Sequence, residues 1–292
     1  MTIDRQPRGF TAVDLAVAAG VLGLVLLYFL MGSTRARESS RRLTCQRNLM
    51  QIGTALGLYD QSSGRLPTLV LGSDGPVAAM LDELGQPDFL VLRDRTKAPP
   101  RTPGYQLVEK PIRGLVCPTD SNARAGRFRA PISYRANTGD SPEARNGPFA
   151  IGRRTTVEAV EAAKGAAFTA AFAERLVGDG QAGVEQKSAY ALLDKPGADW
   201  GTRPVDPSVW RGDAGESWRY AEWRSTLYSH ALPPDSPRSW IATDGASALM
   251  GASSDHPSGL HVLMLDGSLK TYRPSVEIGV WKALGNAQES PR

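Results

Sequence analysis

Two thiols and three imidazoles, Cys45, Cys117, His230, His256 and His261, bound the redox and transition-metal chemistry open to this chain. His256 and His261 lie five residues apart, off the helical i,i+4 register, and neither falls in a zinc-ligand pattern, so no metal site is expected from spacing. Asp244, Asp255 and Asp266 offer loop oxygens for calcium, but not in the spacing of a calcium loop. The chain has no nucleophile elbow, phosphate loop, His-Glu-x-x-His or dinucleotide glycine pattern. Asp255, His256 and a nearby serine could be drawn as a triad, yet many chains contain such a trio by accident. The expectation is a protein that is not an enzyme and uses no cofactor. Cys45 and Cys117 are either a disulfide joining a helix to the body of the protein or two buried thiols; geometry decides between them.

The amino end carries a different chemistry. Gly9 and Phe10 precede an uncharged run from Leu15 to Thr34, twenty residues between Asp14 and Arg35. At about 1.5 Å per residue such a helix matches a hydrocarbon core of roughly 30 Å, and one membrane span is expected. A cleaved secretory signal has its small-residue cut site after the apolar core, whereas here Gly9 comes before it. Asp14 at the head of the run costs roughly 1 to 3 kcal/mol to insert. Cleavage after Gly9 would create an ammonium group at Phe10 able to neutralise such a carboxylate in a second subunit. Beyond the run stand Arg35, Arg37, Arg41, Arg42 and Arg47 with one acid, Glu38, a net of five minus one, which equals the +4 of the whole chain. That cluster reads as a contact with anionic headgroups, and the neutral remainder argues against a nucleic-acid partner.

Gly9-Phe10-Thr11-Ala12-Val13-Asp14-Leu15 resembles the prepilin processing motif of type IV pilins and type II secretion pseudopilins. The resemblance implies cleavage between Gly9 and Phe10 by prepilin peptidase, N-methylation of Phe10, and pairing of Asp14 with the amino terminus of a neighbouring subunit. Those families usually have Glu where this chain has Asp14. The resemblance also implies a single-pass protein of the cytoplasmic (inner) membrane, amino terminus inside and head on the periplasmic side. Its partners would be the lipid bilayer, the peptidase, and like or unlike pilin-type subunits.

Cys45, Leu49, Ile52, Leu56 and Tyr59 follow at helical spacing, and no proline occurs between Phe10 and Leu66. The expected organisation is a leader over 1–9, a transmembrane helix over 10–34, an amphipathic continuation over 35–60, and a globular head over 61–292. The fold class is α+β and pilin-like, with the long helix packed on a mainly antiparallel sheet. Strands are expected at 114–117, 132–136, 148–152, 168–176, 239–243, 260–265 and 268–272. Thr155 with Glu158 predicts a helix start, Ser275 caps a short terminal helix, and 184–193 suggests another helix. Asp266-Gly267 predicts a two-residue hairpin turn. Five tryptophans, Trp200, Trp210, Trp218, Trp223 and Trp240, serve either as core anchors or, if exposed, as stacking surfaces for sugars.

His256, followed after nine residues by Asp266-Gly267, is similar to a motif of a large prepilin-like domain-of-unknown-function family abundant in planctomycetes. The 45–53 helix segment, Cys117-Pro118-Thr119-Asp120, Asn146-Gly147-Pro148-Phe149, Phe172-Ala173-Glu174-Arg175-Leu176 and Trp281-Lys282-Ala283-Leu284-Gly285 resemble further segments of that family in order. The stretch 161–168 departs from it. The function read from sequence is a non-enzymatic, pseudopilin-like envelope protein whose N-terminal helix would serve assembly in a type II secretion or pilus-like system. The alternative is a membrane-tethered module that binds a glycan or another envelope component.

Overall fold

Ala12 to Ser63 form one helix of 52 residues, α1, containing no proline. It stops where Gly64 adopts φ 66°, a left-handed conformation with little cost only for glycine, and donates its N–H to the Asp60 carbonyl at 2.7 Å. This computed structural model describes residues 11–86, 110–194 and 205–288, and within them not the side chains of 29–35. The chain forms two compact units, Met1–Arg41 and Arg42–Arg292. In the first, Val13, Leu15, Val17, Val21, Leu22 and Leu24 are exposed, up to 73% at Leu24. In the second, the helical stripe is buried: Cys45, Leu49, Ile52, Ala55 and Leu56 all lie in the main core.

The described part of the Arg42–Arg292 unit adds helices α2 (Pro76–Ala79), α3 (Ser121–Arg124), α4 (Val157–Ala163) and α5 (Ile278–Gly285). Its strands are β1 (Tyr134–Asn137), β2 (Ala170–Glu174), β3 (Tyr190–Leu193), β4 (Trp210–Arg211), β5 (Leu227–Tyr228), β6 (Trp240–Ala242), β7 (Ala248–Leu249), β8 (Leu260–Met264) and β9 (Leu269–Tyr272). They make two mixed sheets, ordered β5-β1-β2-β8-β9 and β4-β3-β6-β7, each with one parallel pair, β1 with β5 and β3 with β6. The class is therefore α+β with mixed sheets, rather than the single sheet read from sequence.

Several local expectations are corrected. Residues 113–115 form a 3-10 turn where a strand was expected. Over 148–152 only an isolated bridge, Leu69 to Ile151, forms, because the N–H groups of Phe149, Ala150 and Ile151 are taken by the carbonyls of Asn137, Gly147 and Ala144. The end of the 184–193 helix expectation is strand β3, where pairing with β4 and β6 and burial of Ala191 against Trp210 and Trp240 override helical propensity. The N-cap of α4 is Thr156, whose hydroxyl accepts from Ala159 N–H at 3.0 Å; the Thr155 carbonyl is already taken by Leu66 N–H. α5 is capped by Glu277, whose carboxylate accepts from Gly279 and Val280 N–H, both at 2.8 Å. The β8–β9 turn has three residues, 265–267, with positive φ at Gly267 alone (85°), a turn followed by a glycine bulge rather than the Asp-Gly turn.

The helical stripe faces the five-stranded sheet at close range: a Cβ added at Gly53 would lie 2.9 Å from Leu263 Cδ1 on β8. Two fully buried arginines tie the sheet to loops. Arg135 on β1 donates to the Trp223 carbonyl at 3.2 Å, and Arg175 donates to the carbonyls of Gly251 and Ala189. Burial pushes Arg175 down to about 9. On another face of this unit, α5 is fixed by His230. Its Nδ1 lies 2.8 Å from the Trp281 carbonyl and its Nε2 2.8 Å from the Tyr228 hydroxyl. A carbonyl only accepts, so Nδ1 carries a proton, and in the neutral ring that burial favours Nε2 accepts from the Tyr228 hydroxyl. The Trp281 ring stacks on it at 4.0 Å between centroids.

Burial pushes His230 down to about 3 from an ordinary 6.5, the bond to the Trp281 carbonyl opposing the fall. The unfolded chain therefore binds this proton more readily than the folded one. The stabilisation from neutral His230 is complete above pH 6.5, declines as pH falls, and levels off near pH 3. Urea unfolding across that window will show a weaker pH dependence for His230→Gln than for the native chain; equal slopes would show that His230 is not buried neutral.

Candidate functional site

At the start of α1 the backbone N–H groups have no partner in the preceding turn, and Thr11 with Asp14 supplies one. Thr11 donates its N–H to Asp14 Oδ2 at 2.9 Å and its hydroxyl to the same oxygen at 2.8 Å. Asp14 is thus engaged as the third residue of a capping pair, a local role besides the pairing implied by resemblance. Gly9 and Phe10 lie outside the described residues. Among the described residues no helix is long and apolar enough to cross a membrane, and the apolar run leaves the described side chains at residue 29.

The family-motif residues are not brought to one point. His256 precedes β8 and Asp266-Gly267 follow it, so the nine-residue interval contains the strand itself. Asp266 Oδ1 accepts from the Ser268 N–H and hydroxyl at 2.8 and 2.6 Å, which fixes the β8–β9 turn. His256 instead enters a buried cluster. Cys45, from the α1 stripe, is joined to Cys117 by a disulfide with Cα atoms 5.1 Å apart. Cys117 Sγ lies 3.4 Å from His256 Nε2, and that nitrogen lies 3.3 Å from Glu174 Oε1 at the end of β2. Glu174 Oε2 accepts from His261 N–H at 2.8 Å, whereas Oε1 is buried without a hydrogen-bond partner. The His261 ring is 5.2 Å from that of His256, and burial lowers its basicity.

Spacing could not find this cluster, because its four members come from α1, the loop after the 3-10 turn, β2 and the loop before β8. Glu174 was missed as a site residue, although it lay within a segment that carried the resemblance. The signal was the adjacent pair Glu174-Arg175 ending an apolar strand, since buried charge needs a stated partner. Among the described residues, Cys45, Cys117, Glu174 and His256 bring four potential metal-ligand atoms within 4.8 Å of one another, two of them sulfurs now joined in the disulfide. The calcium candidates have other engagements: Asp255 is 3.1 Å from Lys187 Nζ, Asp266 holds its turn, and Asp244 accepts from Ala246 N–H at 2.9 Å.

The other motif segments also act as structural joints. Asp120 caps α3 through Ala123 N–H and accepts from the Ser133 hydroxyl and Val177 N–H. Asn146 exchanges two hydrogen bonds with Asp140, and its carbonyl accepts from Ala287 N–H at 2.7 Å. A Cβ at Gly147 would stand 2.3 Å from Gly139 N, so this approach excludes any larger residue.

Trp210, Trp218, Trp223 and Trp240 are all buried, and Trp200 lies outside the described residues. These four tryptophans therefore anchor the body and make no exposed stacking surface. A cavity of about 520 Å³ opens beside one of them, lined by Trp223, Tyr190, Arg211, Asp213, Arg224 and Ile241 among others. The Tyr190 hydroxyl donates to Asp213 at 2.7 Å, and burial followed by the Asp213 charge raises its pKa, keeping that proton in place. Arg224 lies 2.8 Å from Glu222 and 3.3 Å from Glu216, so its charge is compensated within the protein.

Residues 34–279 match the family described as protein of unknown function (DUF1559), and the chain belongs to that family. Residues 9–15 precede the matched residues. No curated protein and no solved structure matches the chain.

The disulfide closes a sequence separation of 72 residues, for which chain entropy assigns about 4 kcal/mol of stabilisation. Replacing both Cys45 and Cys117 by Ala will lower the urea-unfolding free energy of the full chain by about that amount; a loss below about 1 kcal/mol would contradict a closed bridge.

Proposed function

We propose that this member of the family is a non-enzymatic, pseudopilin-like envelope protein, held in the cytoplasmic membrane by α1 and processed between Gly9 and Phe10. The observation that carries the reading is the amino-terminal part of α1. From Val13 to Tyr28 its large apolar side chains are exposed, Leu15 to 71% and Leu24 to 73%. An apolar helical surface of that extent is retained in water only at a cost of roughly 25 cal/mol per Å², and lipid or the helices of other subunits would remove it. The cluster of arginines beyond residue 34 suits anionic headgroups, and the Gly9-Phe10 step suits a prepilin peptidase. In this reading the amino terminus faces inward, the Arg42–Arg292 unit is extracytoplasmic, and a disulfide in it agrees with an oxidising compartment. Asp14 would pair with the new amino terminus of a neighbouring pilin-like subunit, in a type II secretion or pilus-like assembly.

A second reading keeps the anchor and assigns function to ligand binding. The cavity beside Trp223 favours it, since Arg211, Asp213, Glu222 and Arg224 line it with polar groups that suit a polyhydroxylated ligand such as a glycan of the envelope.

Mass spectrometry of the native protein extracted from membranes tests the first reading. The expected mass is that of a chain beginning at N-methyl-Phe10. An intact Met1 terminus, or a cut beyond the apolar run, would overturn it and leave the cavity as the functional site.

A further inference from the structure

The buried cluster of Cys45, Cys117, Glu174 and His256 has more functional groups than a structural disulfide requires. A bridge alone packs well against apolar side chains. Here one imidazole nitrogen and one carboxylate oxygen converge on it inside the body of the protein, where exposure is 2% for Glu174 and 5% for His256. Glu174 Oε1 and His256 Nε2 are 3.3 Å apart, yet Oε1 accepts no hydrogen bond. A buried carboxylate oxygen without a donor costs free energy unless something else satisfies it.

The geometry points to a redox-gated site for a divalent transition metal of the Zn²⁺ class, closed as the disulfide and open once Cys45 and Cys117 are reduced. The four ligand atoms, one from each residue, all lie within 4.8 Å of one another. A tetrahedral zinc with Zn–S of about 2.3 Å and Zn–N or Zn–O of about 2.0 to 2.1 Å needs S···N edges of about 3.5 Å and N···O edges of about 3.3 Å. The observed separations are 3.4 Å for Cys117 Sγ to His256 Nε2 and 3.3 Å for His256 Nε2 to Glu174 Oε1. Two of the polyhedron's six edges are therefore already set, the sulfur pair must part to about 3.8 Å, its distance across such a metal, and the remaining edges start within 4.8 Å. The bond from His261 N–H to Glu174 Oε2 holds the carboxylate with Oε1 toward the centre, the kind of outer contact that orients metal ligands.

The opening step is exchange with a dithiol reductant. One of its thiolates attacks Cys117 Sγ, the Cys45–Cys117 bond breaks, and Cys45 leaves as a thiolate that takes up a proton. The second thiol of the reductant then displaces Cys117 as the reductant closes its own disulfide. Two electrons pass to the protein, and its two sulfurs end as thiols. Metal binding releases those two protons, leaving two thiolates, one neutral imidazole and one carboxylate around the ion. Exchange with an oxidised dithiol runs the step backwards and expels the metal. Cys117 is itself 4% exposed, but it lines a small cavity with Glu174, Ser254 and Asp255, whose side chain is 36% exposed, so the attack requires a local opening on that side. The whole site belongs to the Arg42–Arg292 unit and does not depend on how the amino terminus is processed.

Cobalt titration of the full chain in detergent micelles tests the proposal. One sample is left oxidised; the other is reduced with dithiothreitol and freed of it anaerobically. The reduced chain is expected to bind one Co²⁺ with thiolate-to-cobalt absorption in the near ultraviolet and tetrahedral bands in the red, both bleached by Zn²⁺, while the oxidised chain shows neither. His256→Ala, which leaves both cysteines in place, is expected to weaken Zn²⁺ binding to the reduced chain by about 100-fold or more. The proposal is overturned if the reduced chain binds no Co²⁺, if oxidised and reduced chains bind it alike, or if His256→Ala binds Zn²⁺ as tightly as the native chain. It is equally overturned if reduction alone abolishes the near-ultraviolet dichroism and added Zn²⁺ fails to restore it.

Discussion

Burial of one helical stripe is the constraint on which the rest of the body depends. Cys45, Leu49, Ile52, Ala55 and Leu56 are at most 3% exposed, and the β8 side of the five-stranded sheet comes so close that a Cβ at Gly53 would displace the Leu263 side chain. A helix that was only amphipathic would be stabilised by its apolar face alone. This one is also bonded covalently through Cys45 and by the Asn48 side chain, which donates to the Val116 carbonyl at 3.1 Å and lies 3.2 Å from the Tyr134 hydroxyl. Shortening the chain from its amino end past Arg42 would therefore remove core rather than linker.

The family segments take on physical meaning in this frame. Cys117 and Asp120 pin the loop opposite the helix, Asn146 and Gly147 make the close crossing next to the last residues of the chain, and Trp281 fastens α5 over His230. Each is a joint between segments distant in sequence, where the cost of ordering the chain is offset by only a few contacts. Residues of that kind specify the architecture. They say little about what the protein recognises.

The longer elements could be read from the residues because period and punctuation agreed. The spacing of Cys45 through Tyr59 marked the buried face, and the apolar runs ending β2 and flanking Asp266-Gly267 marked β2, β8 and β9. The two-residue strands β4, β5 and β7 could not be read, since two residues carry no period. Thr155 and Thr156 are chemically equal caps, and only the bond from Leu66 to the Thr155 carbonyl distinguishes them. Glu277 was overlooked as a cap in favour of Ser275 because a carboxylate two residues later satisfies two N–H groups where the hydroxyl would satisfy one. The site was least legible. Cys45 and Cys117 were visible as a pair with two outcomes, but the meeting of Glu174 and His256 with them arises from four segments and from no local rule. The tryptophans, by contrast, followed their usual preference for burial.

Native-state hydrogen exchange read by mass spectrometry tests the central place of the helix most directly. If the stripe is the core of the Arg42–Arg292 unit, peptides covering Cys45 to Tyr59 exchange only through global unfolding, with the same free energy of opening as those from β2 and β8. Exchange of the helical peptides at lower free energy than those strands would mean that the sheets form a core without the helix, and would contradict the account.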